Sequence, residues 1–215
     1  MEQSERSGGK GGVIIITLNK RDMNALDFYY KNALLNNLCG EYKNDWKAAK
    51  NNKEKLVKLA LCQQSIPHVA TYAYEGKGLS KDYLLSEFKD YINGVIHYDC
   101  DDVKGYTYRL YAGWCGDEIM EQADVTHFMW SNVSSIVVEK YKCPTLYISN
   151  KSKVCVSCDG YNYIRVYLFD ESELVIDDLD SESVVIVYKY SNKCKVTKGK
   201  YCIGKVNEFE KSIRL

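Results

Sequence analysis

Two segments decide the fold class of the C-terminal half: Tyr-Asn-Tyr-Ile-Arg-Val-Tyr-Leu-Phe at 161–169 and Ser-Val-Val-Ile-Val-Tyr-Lys-Tyr at 183–190. Both are rich in β-branched and aromatic residues. Turn-forming residues bound them, with Asp159-Gly160 before the first and Asn192 after the second. Segments of this length and composition between turn residues predict β-strands.

The same pattern continues over the rest of the C-terminal half. Further strands are predicted at 106–111, 135–138, 145–148, 154–157, 173–176, 195–197 and 201–206. No repeat of fixed period is evident, so the short connections favour an antiparallel sheet or small barrel of about five to eight strands.

The N-terminal part has the spacing of helices. Leu26, Tyr30, Leu34 and Leu38 recur every four residues on one face of a helix ending near residue 39. A second helix is predicted over about 45–62, and a third from an N-cap at Ser80 to about residue 92. The sequence therefore predicts an α+β fold.

The predicted domain organisation is a flexible tail over 1–12, a mainly helical region over 13–94 and a β-rich region over 95–215. The alternative is one continuous domain with its helices on one side of the sheet.

Composition narrows the class of protein. The 215 residues carry 29 basic and 29 acidic side chains, so net charge indicates no particular partner. With no signal peptide or membrane-spanning run, we expect a cytoplasmic protein whose nine cysteines are reduced. Abundant Lys, Asn, Tyr and Ile are typical of A/T-rich genomes, which suggests a virus or mobile element as the source.

Two groups of cysteines are candidates for chemistry. Cys155 and Cys158 have the C-x-x-C-x-G spacing of half a zinc site, which Cys194 and Cys202 would complete; the alternative is a β-turn flanked by two thiols. Cys115, between two glycines, is a candidate nucleophile if a histidine approaches it, and the alternative is a tight turn. We expect no bound cofactor, because no standard catalytic or cofactor motif is present.

A basic stretch near the C-terminus carries lysines interleaved with tyrosines. On paired strands, these side chains would form a positive face with aromatic platforms, as single-stranded nucleic-acid sites have. The alternative is that the lysines protect an exposed edge strand from aggregation. The candidate residues of this stretch are Lys193, Lys195, Lys198, Lys200, Tyr190 and Tyr201.

A shorter segment adds two lysines to that hypothesis. Gly76-Lys77-Gly78-Leu79-Ser80-Lys81 resembles the start of the last helix in double-stranded RNA-binding domains, where lysines at the helix N-terminus bind phosphates. The resemblance covers about ten residues. Asp82 stands where the family has a second lysine. The resemblance implies a role in RNA binding for Lys77 and Lys81.

The functional prediction is a non-catalytic binding protein that uses a Tyr-rich surface to hold a protein partner, without a membrane. It rests on the lack of an assembled catalytic set and on the contact area that 19 tyrosines supply. The alternatives are a nucleic-acid-binding protein that uses the lysine and tyrosine face over 189–205, and a cysteine-dependent hydrolase that uses Cys115.

Overall fold

The chain is a parallel β-solenoid of about 5 turns, with 46% of its residues in strands and 19% in helices. The computed structural model describes residues 27, 40–49, 52–61, 69, 78–98, 105–116 and 123–212. The prediction of an α+β fold with an antiparallel sheet or small barrel is therefore wrong. The predicted division into 1–12, 13–94 and 95–215 stays a prediction, and residues 1–12 lie outside the described part.

Each turn of the solenoid, here called a rung, places one strand in each of two facing sheets. The strands in chain order are β1 (His97–Tyr98), β2 (Thr107–Ala112), β3 (Cys115–Gly116), β4 (Val125–Met129), β5 (Asn132–Val138), β6 (Thr145–Ser149), β7 (Lys153–Cys158), β8 (Tyr163–Leu168), β9 (Glu173–Leu179), β10 (Val184–Lys189), β11 (Lys195–Cys202) and β12 (Lys205–Glu210). Most of the predicted strands thus exist near their predicted positions.

The pairing of these strands is what the sequence analysis mispredicted. Sheet A has the order β1-β2-β4-β6-β8-β10-β12, and sheet B has the order β11-β9-β7-β5-β3. From β2 onward, consecutive strands therefore lie in opposite sheets, and each pairs in parallel with the next strand of its own sheet. Among the described strands, only β1 and β2 pair antiparallel. The short connections that suggested hairpins are the corners between the two sheets.

The register gives the solenoid a period of about 20 residues. Val125 is the partner of Thr145, Thr145 of Arg165, and Arg165 of Ile186. No such repeat is evident in the sequence, because successive turns differ in length: Val125 follows its partner Tyr108 by 17 residues, whereas Lys205 follows its partner Val184 by 21. Bulges between Lys198 and Tyr201 and between Val156 and Ser157 absorb part of that difference in sheet B.

Inward-facing aliphatic side chains from both sheets form the solenoid core. Alternation along β7 and β8 buries every second residue, as expected for strands with one face against a core. The largest fully buried members of this core include Ile148, Ile164, Leu168, Leu174, Ile176 and Leu179. Because like side chains stack from rung to rung, one apolar core runs along the solenoid.

Buried polar side chains fix the corner at which sheet A passes to sheet B. The carboxylate of Asp170, which is 5% exposed, accepts hydrogen bonds from the backbone N–H groups of Asn150 and Lys151 on the preceding rung. Ser172 Oγ donates to the same carboxylate at 3.0 Å. Asn150, Lys151 and Asp170 have φ values of 56°, 59° and 51°, a conformation that Asn and Asp tolerate better than most residues.

Serines repeat this link between rungs at the same corner. Ser152 Oγ accepts from the backbone N–H of Ser131 at 3.0 Å and donates to the carbonyl of Ser149 at 2.6 Å. All three serines are buried. Since an unpaired buried polar group costs about 1–3 kcal/mol, these hydrogen bonds hold neighbouring rungs in one register.

Within the described residues, three short helices precede the solenoid and pack on the outer face of sheet A. They are α1 (Gly40–Ala48), α2 (Lys53–Leu61) and α3 (Lys81–Glu87), and a 3₁₀ turn (Lys89–Tyr91) follows α3. Asn52 Oδ1 accepts from Lys55 N at 3.0 Å and begins α2, so the single helix predicted over 45–62 is two helices. Ser80 caps α3 as predicted, accepting from Tyr83 N at 3.3 Å. The helix predicted to end near residue 39 lies outside the described residues, apart from Asp27, which is helical.

Charged residues occupy the core positions of the last described rung. Along sheet A, Ile148 and Leu168 are followed in register by Lys189 and Glu210. Lys189 Nζ lies 3.2 Å from a carboxylate oxygen of Glu208, which continues another core column of sheet A, and 4.0 Å from one of Glu210. Inward-pointing charges on an edge strand oppose the addition of a further strand.

We expect Asp170→Ala to lower the free energy of unfolding by about 3 kcal/mol, because it leaves buried donors of two rungs without an acceptor. Urea denaturation measures the change. The matched control is Asp159→Ala at the opposite corner, where the residue is exposed and the expected change is within about 0.5 kcal/mol. Equal losses in the two variants would contradict the role given to Asp170.

We expect the combined changes Lys189→Leu, Glu208→Val and Glu210→Leu to produce larger assemblies, because they continue the apolar core to an open strand edge. Light scattering after size-exclusion chromatography measures the mass. The control is Thr197→Val on β11, which adds an apolar residue on the outer face of sheet B. A triple variant with the mass of the wild type would show that the charges do not protect this edge.

Candidate functional site

The described helices cover the outer face of sheet A over its first rungs. Trp46, Leu56 and Phe88 of the helical segments share a buried cluster with residues of the early strands. Tyr147 is 6% exposed and Met129 is 3% exposed in this covered region. Members of the cluster that belong to the solenoid are Tyr108, Leu110, Ala112, Val125, Met129, Tyr147 and Phe169.

One column of outward-facing side chains on sheet A runs from beneath the helices to the last strand. From Tyr147 onward this column is a stack of aromatic rings. Its register partners in order are Leu110, His127, Tyr147, Tyr167, Tyr188 and Phe209. Ring centroids lie 4.7 Å apart for Tyr147 and Tyr167, 5.1 Å for Tyr167 and Tyr188, and 5.7 Å for Tyr188 and Phe209. Stacked rings of this kind stabilise the pairing of neighbouring strands.

A second stack lies beside the first. The rings of Phe169 and Tyr190 are 4.8 Å apart and nearly parallel at 6°. Tyr167, Tyr188 and Tyr190 are half-buried, and Phe209 is 48% exposed. These four residues, called the aromatic strip below, continue the face that the helices cover on the earlier rungs.

The charges around the aromatic strip have one sign. Arg165, Lys205 and Lys211 are exposed on the outer side of sheet A, and Lys211 Nζ lies 5.3 Å from the ring centroid of Tyr188. Glu208 and Glu210 alternate with Phe209 and lie in register with the core columns, near Lys189 Nζ, and the Glu210 side chain is 81% exposed at the open end of the solenoid. No acidic residue of β8, β10 or β12 faces outward with the strip.

Burial acts on two of the tyrosine hydroxyl groups of the strip. Desolvation raises the pKa of Tyr167, against a smaller opposing effect of the Arg165 charge. Desolvation also raises the pKa of Tyr190. Burial thus favours the neutral form of both hydroxyl groups, with cations beside the strip.

The predicted lysine and tyrosine face is divided between two sides of the molecule. Tyr190 lies on the outer side of sheet A, whereas Tyr201 is 61% exposed on β11 of sheet B. Lys193 lies at the corner between them and pairs with Glu171 at 3.0 Å. The exposed Lys195, Lys198 and Lys200 all belong to β11.

The position of β11 bears on the choice between a binding face and edge protection. β11 is the outermost strand of sheet B among the described residues, so its three lysines are where edge protection needs them. Lys81 lies in α3, where its side chain packs against Gly113, and Lys77 lies outside the described residues. Lys81 thus lies on a helix that packs on β2 in an early rung, whereas the lysines of β11 lie in a late rung.

The structure does not bring the four predicted zinc ligands together. Cys155 and Cys158 lie within strand β7 and point to opposite faces, because they are three residues apart. Cys194 is buried at a corner and lies 3.5 Å from the carbonyl of Asp170, while Cys202 ends β11. Within the described residues, no three His, Cys, Asp or Glu side chains are grouped to hold a metal ion.

Burial also disfavours the ionised thiolate form of these four cysteines. It raises the pKa of Cys158 to about 12 and that of Cys194 to about 11. It raises the pKa of Cys155 and Cys202 as well. A thiol must lose its proton to bind a metal or attack a substrate, so all four thiols suit a structural role.

Cys115 has no assembled partner in the described part of the chain. It is exposed on the short strand β3, where its register partner is Asn132. His97 is buried, with Nε2 2.7 Å from the carbonyl of Tyr91, and His127 is fully buried against Ser149. His68 and residues 117–122, which follow β3, are outside the described residues.

An apolar cavity of about 50 Å³ lies between the helices and sheet A. It is lined by side chains that include Trp46, Leu56, Phe88, Leu110 and Met129. Since pockets for small molecules enclose roughly 300 Å³ or more, this space is a gap in packing.

The sequence analysis missed the aromatic strip, although the chain carries a signal for it. Related segments begin at Tyr147, Tyr167 and Tyr188, and each passes through a polar corner to an apolar residue of sheet B, namely Val154, Leu174 and Val196. Aligning them would have revealed the period of about 20 residues. The third segment is one residue longer than the others, which hides the repeat.

The chain matches no family model, and neither the curated proteins nor the solved structures contain a match. These comparisons give no support for a viral source or for RNA binding. None of the described helices is long and apolar enough to cross a membrane.

His127 lies beneath the helices in the column that continues as the aromatic strip. Its Nε2 is 2.9 Å from Ser149 Oγ, and the Ser149 hydroxyl donates to Asn150 Oδ1 at 2.8 Å. The Ser149 hydroxyl oxygen therefore accepts a hydrogen bond from the Nε2–H group of a neutral His127 imidazole. Burial lowers the pKa of His127 to about 3.

We expect the protein to lose stability as the pH falls from 6.5 toward 3. The pKa of His127 is about 3 in the folded chain and 6.5 in the unfolded chain, so the unfolded chain binds a proton first as the pH falls. The stabilisation that the neutral, buried His127 contributes is therefore complete only above pH 6.5. His127→Gln, which cannot be protonated, removes up to about 1.4 kcal/mol per pH unit of this dependence. Urea denaturation at several pH values measures it.

The comparison variant for this experiment is His97→Gln. Burial also lowers the pKa of His97, but its hydrogen bond to the Tyr91 carbonyl opposes that effect, so this variant should keep most of the pH dependence. An unchanged pH dependence in the His127 variant would contradict the neutral, buried state of this residue.

Proposed function

We propose that this chain is a non-catalytic binding protein that holds a protein partner on the aromatic strip. The observation that carries the proposal is the change in cover along one face. Tyr147 is 6% exposed beneath the helices, whereas Phe209, in the same column, is 48% exposed. Contiguous exposed apolar surface on a folded chain is typical of interaction sites.

The composition of the strip supports a protein partner. Tyrosine and phenylalanine supply large contact area with few rotatable bonds, and both are enriched at the centres of protein interfaces. Stacking on neighbouring rungs holds the rings in place before a partner arrives, which lowers the entropy cost of binding. The strip is therefore preorganised for contact.

The rest of the described structure favours binding over catalysis. His97 and His127 do not pair with the exposed thiol of Cys115 as base and nucleophile, and the cavity beneath the helices is too small for most substrates. The proposal thus follows the functional prediction from sequence and assigns it a surface.

We expect Tyr188→Ser combined with Phe209→Ser to abolish capture of the partner, because it removes two adjacent rings from the strip. The measurement is quantitative affinity purification from the source cells, comparing each variant with the wild type. The control is Tyr201→Ser, which removes an exposed ring from sheet B. Circular dichroism confirms that each variant is folded before use.

Proteins that bind the wild type and the sheet B control, but not the strip variant, are the expected result. Identical sets of captured proteins for all three chains would show that the strip binds no partner.

A further inference from the structure

We propose that the occupant of the aromatic strip is an amphipathic helix of a partner protein, with acidic residues on both sides of its apolar stripe. This inference rests on the proposed function and specifies the partner. Its first basis is continuity: α1, α2 and α3 already cover the outer face of the preceding rungs with apolar side chains. A helix on the strip would extend the same layer of helices over the same sheet.

The size of the strip fits one helix. Parallel strands are about 4.8 Å apart, so the three strands from β8 to β12 span about 10 Å, close to the diameter of a helix with its side chains. Tyr167, Tyr188 and Phe209 follow one another across these strands, with Tyr190 beside them. An apolar stripe of residues spaced three and four apart on a helix would cover these rings.

The positive charges beside the strip indicate that the partner helix carries negative charge. Within each strand, Arg165 and Lys205 precede the strip and Lys211 follows it, so cations flank the rings on both sides. The acidic residues of β12 lie in register with the core columns, near Lys189 Nζ. Acidic residues beside the apolar stripe of the incoming helix would complement these cations and orient it.

The same observations disfavour two other occupants. A second copy of the chain would bring Arg165, Lys205 and Lys211 against the same cations of its partner, which is unfavourable. Nucleic-acid bases stack on the free faces of aromatic rings. The faces of Tyr167 and Tyr188 are covered by neighbouring rings at 4.7 to 5.7 Å, so the strip offers mainly edges.

The test is a displayed library of helical peptides selected on the full chain. Every peptide carries leucines in one stripe at spacings of three and four, and the positions beside the stripe are randomised among Asp, Glu, Lys, Arg, Ser and Gln. Counter-selection on the Tyr188→Ser and Phe209→Ser variant removes peptides that bind elsewhere. The expected result is enrichment of Asp and Glu on both sides of the stripe.

A charge exchange then tests the contacts directly. Arg165→Glu with Lys211→Glu should raise the Kd of a selected acidic peptide by about tenfold, and replacing the acids of the peptide with lysines should restore binding to this variant. The matched control is Lys195→Glu with Lys200→Glu on β11, which should leave the Kd unchanged. Fluorescence anisotropy measures each Kd.

Each other outcome overturns the inference. Enrichment of basic or neutral residues, no enrichment that depends on the strip, or a Kd unaffected by the charge exchange would reject the acidic helix. Strip-dependent binding of a labelled oligouridine, or a strip-dependent dimer in light scattering, would identify one of the disfavoured occupants. If affinity purification still shows strip-dependent capture, the proposed function stands; if that capture also fails, both fall.

Discussion

Hydrogen bonds at the buried corner between sheets A and B fix the register of successive rungs, and the rest of the structure depends on that register. The carboxylate of Asp170 and the hydroxyl of Ser152 each bind backbone groups of a neighbouring rung. A shift of one residue would turn every inward side chain outward, because side chains alternate along a strand. The apolar core and the outer aromatic stack exist only in the register that these corners select.

Once the register is set, the faces and edges of the solenoid take different roles. The helices bury the outer face of sheet A on the early rungs, and the strip continues that face in the open. Lysines occupy the edge strand β11, while Lys189, Glu208 and Glu210 place charge at core positions of the last rung. Both of these strand edges thus carry charge, whereas the strip is the apolar surface on which we propose that a partner binds.

The residues that the sequence analysis singled out show which local patterns keep their meaning in the folded chain. Ser80 was predicted as a helix cap and is one, because capping depends on neighbours within one turn. Cys155 and Cys158 were predicted as metal ligands from their spacing, but that spacing has this meaning only in a turn, and the residues lie in strand β7. The lysines of β11 were compatible with a site or with edge protection, and only the order of strands places them at an edge.

The sequence by itself determined that the chain has helices followed by many short strands, since β-branched and aromatic segments between turn residues depend on local preferences. Alternation along strands such as β7 and β8 also indicates which of their residues share a face. Only the tertiary structure decided that the strands pair in parallel, because alternation is the same in parallel and antiparallel sheets. The aromatic strip was likewise decided there: Tyr167, Tyr188 and Phe209 are about 20 residues apart, and only the coil of the solenoid brings their rings together.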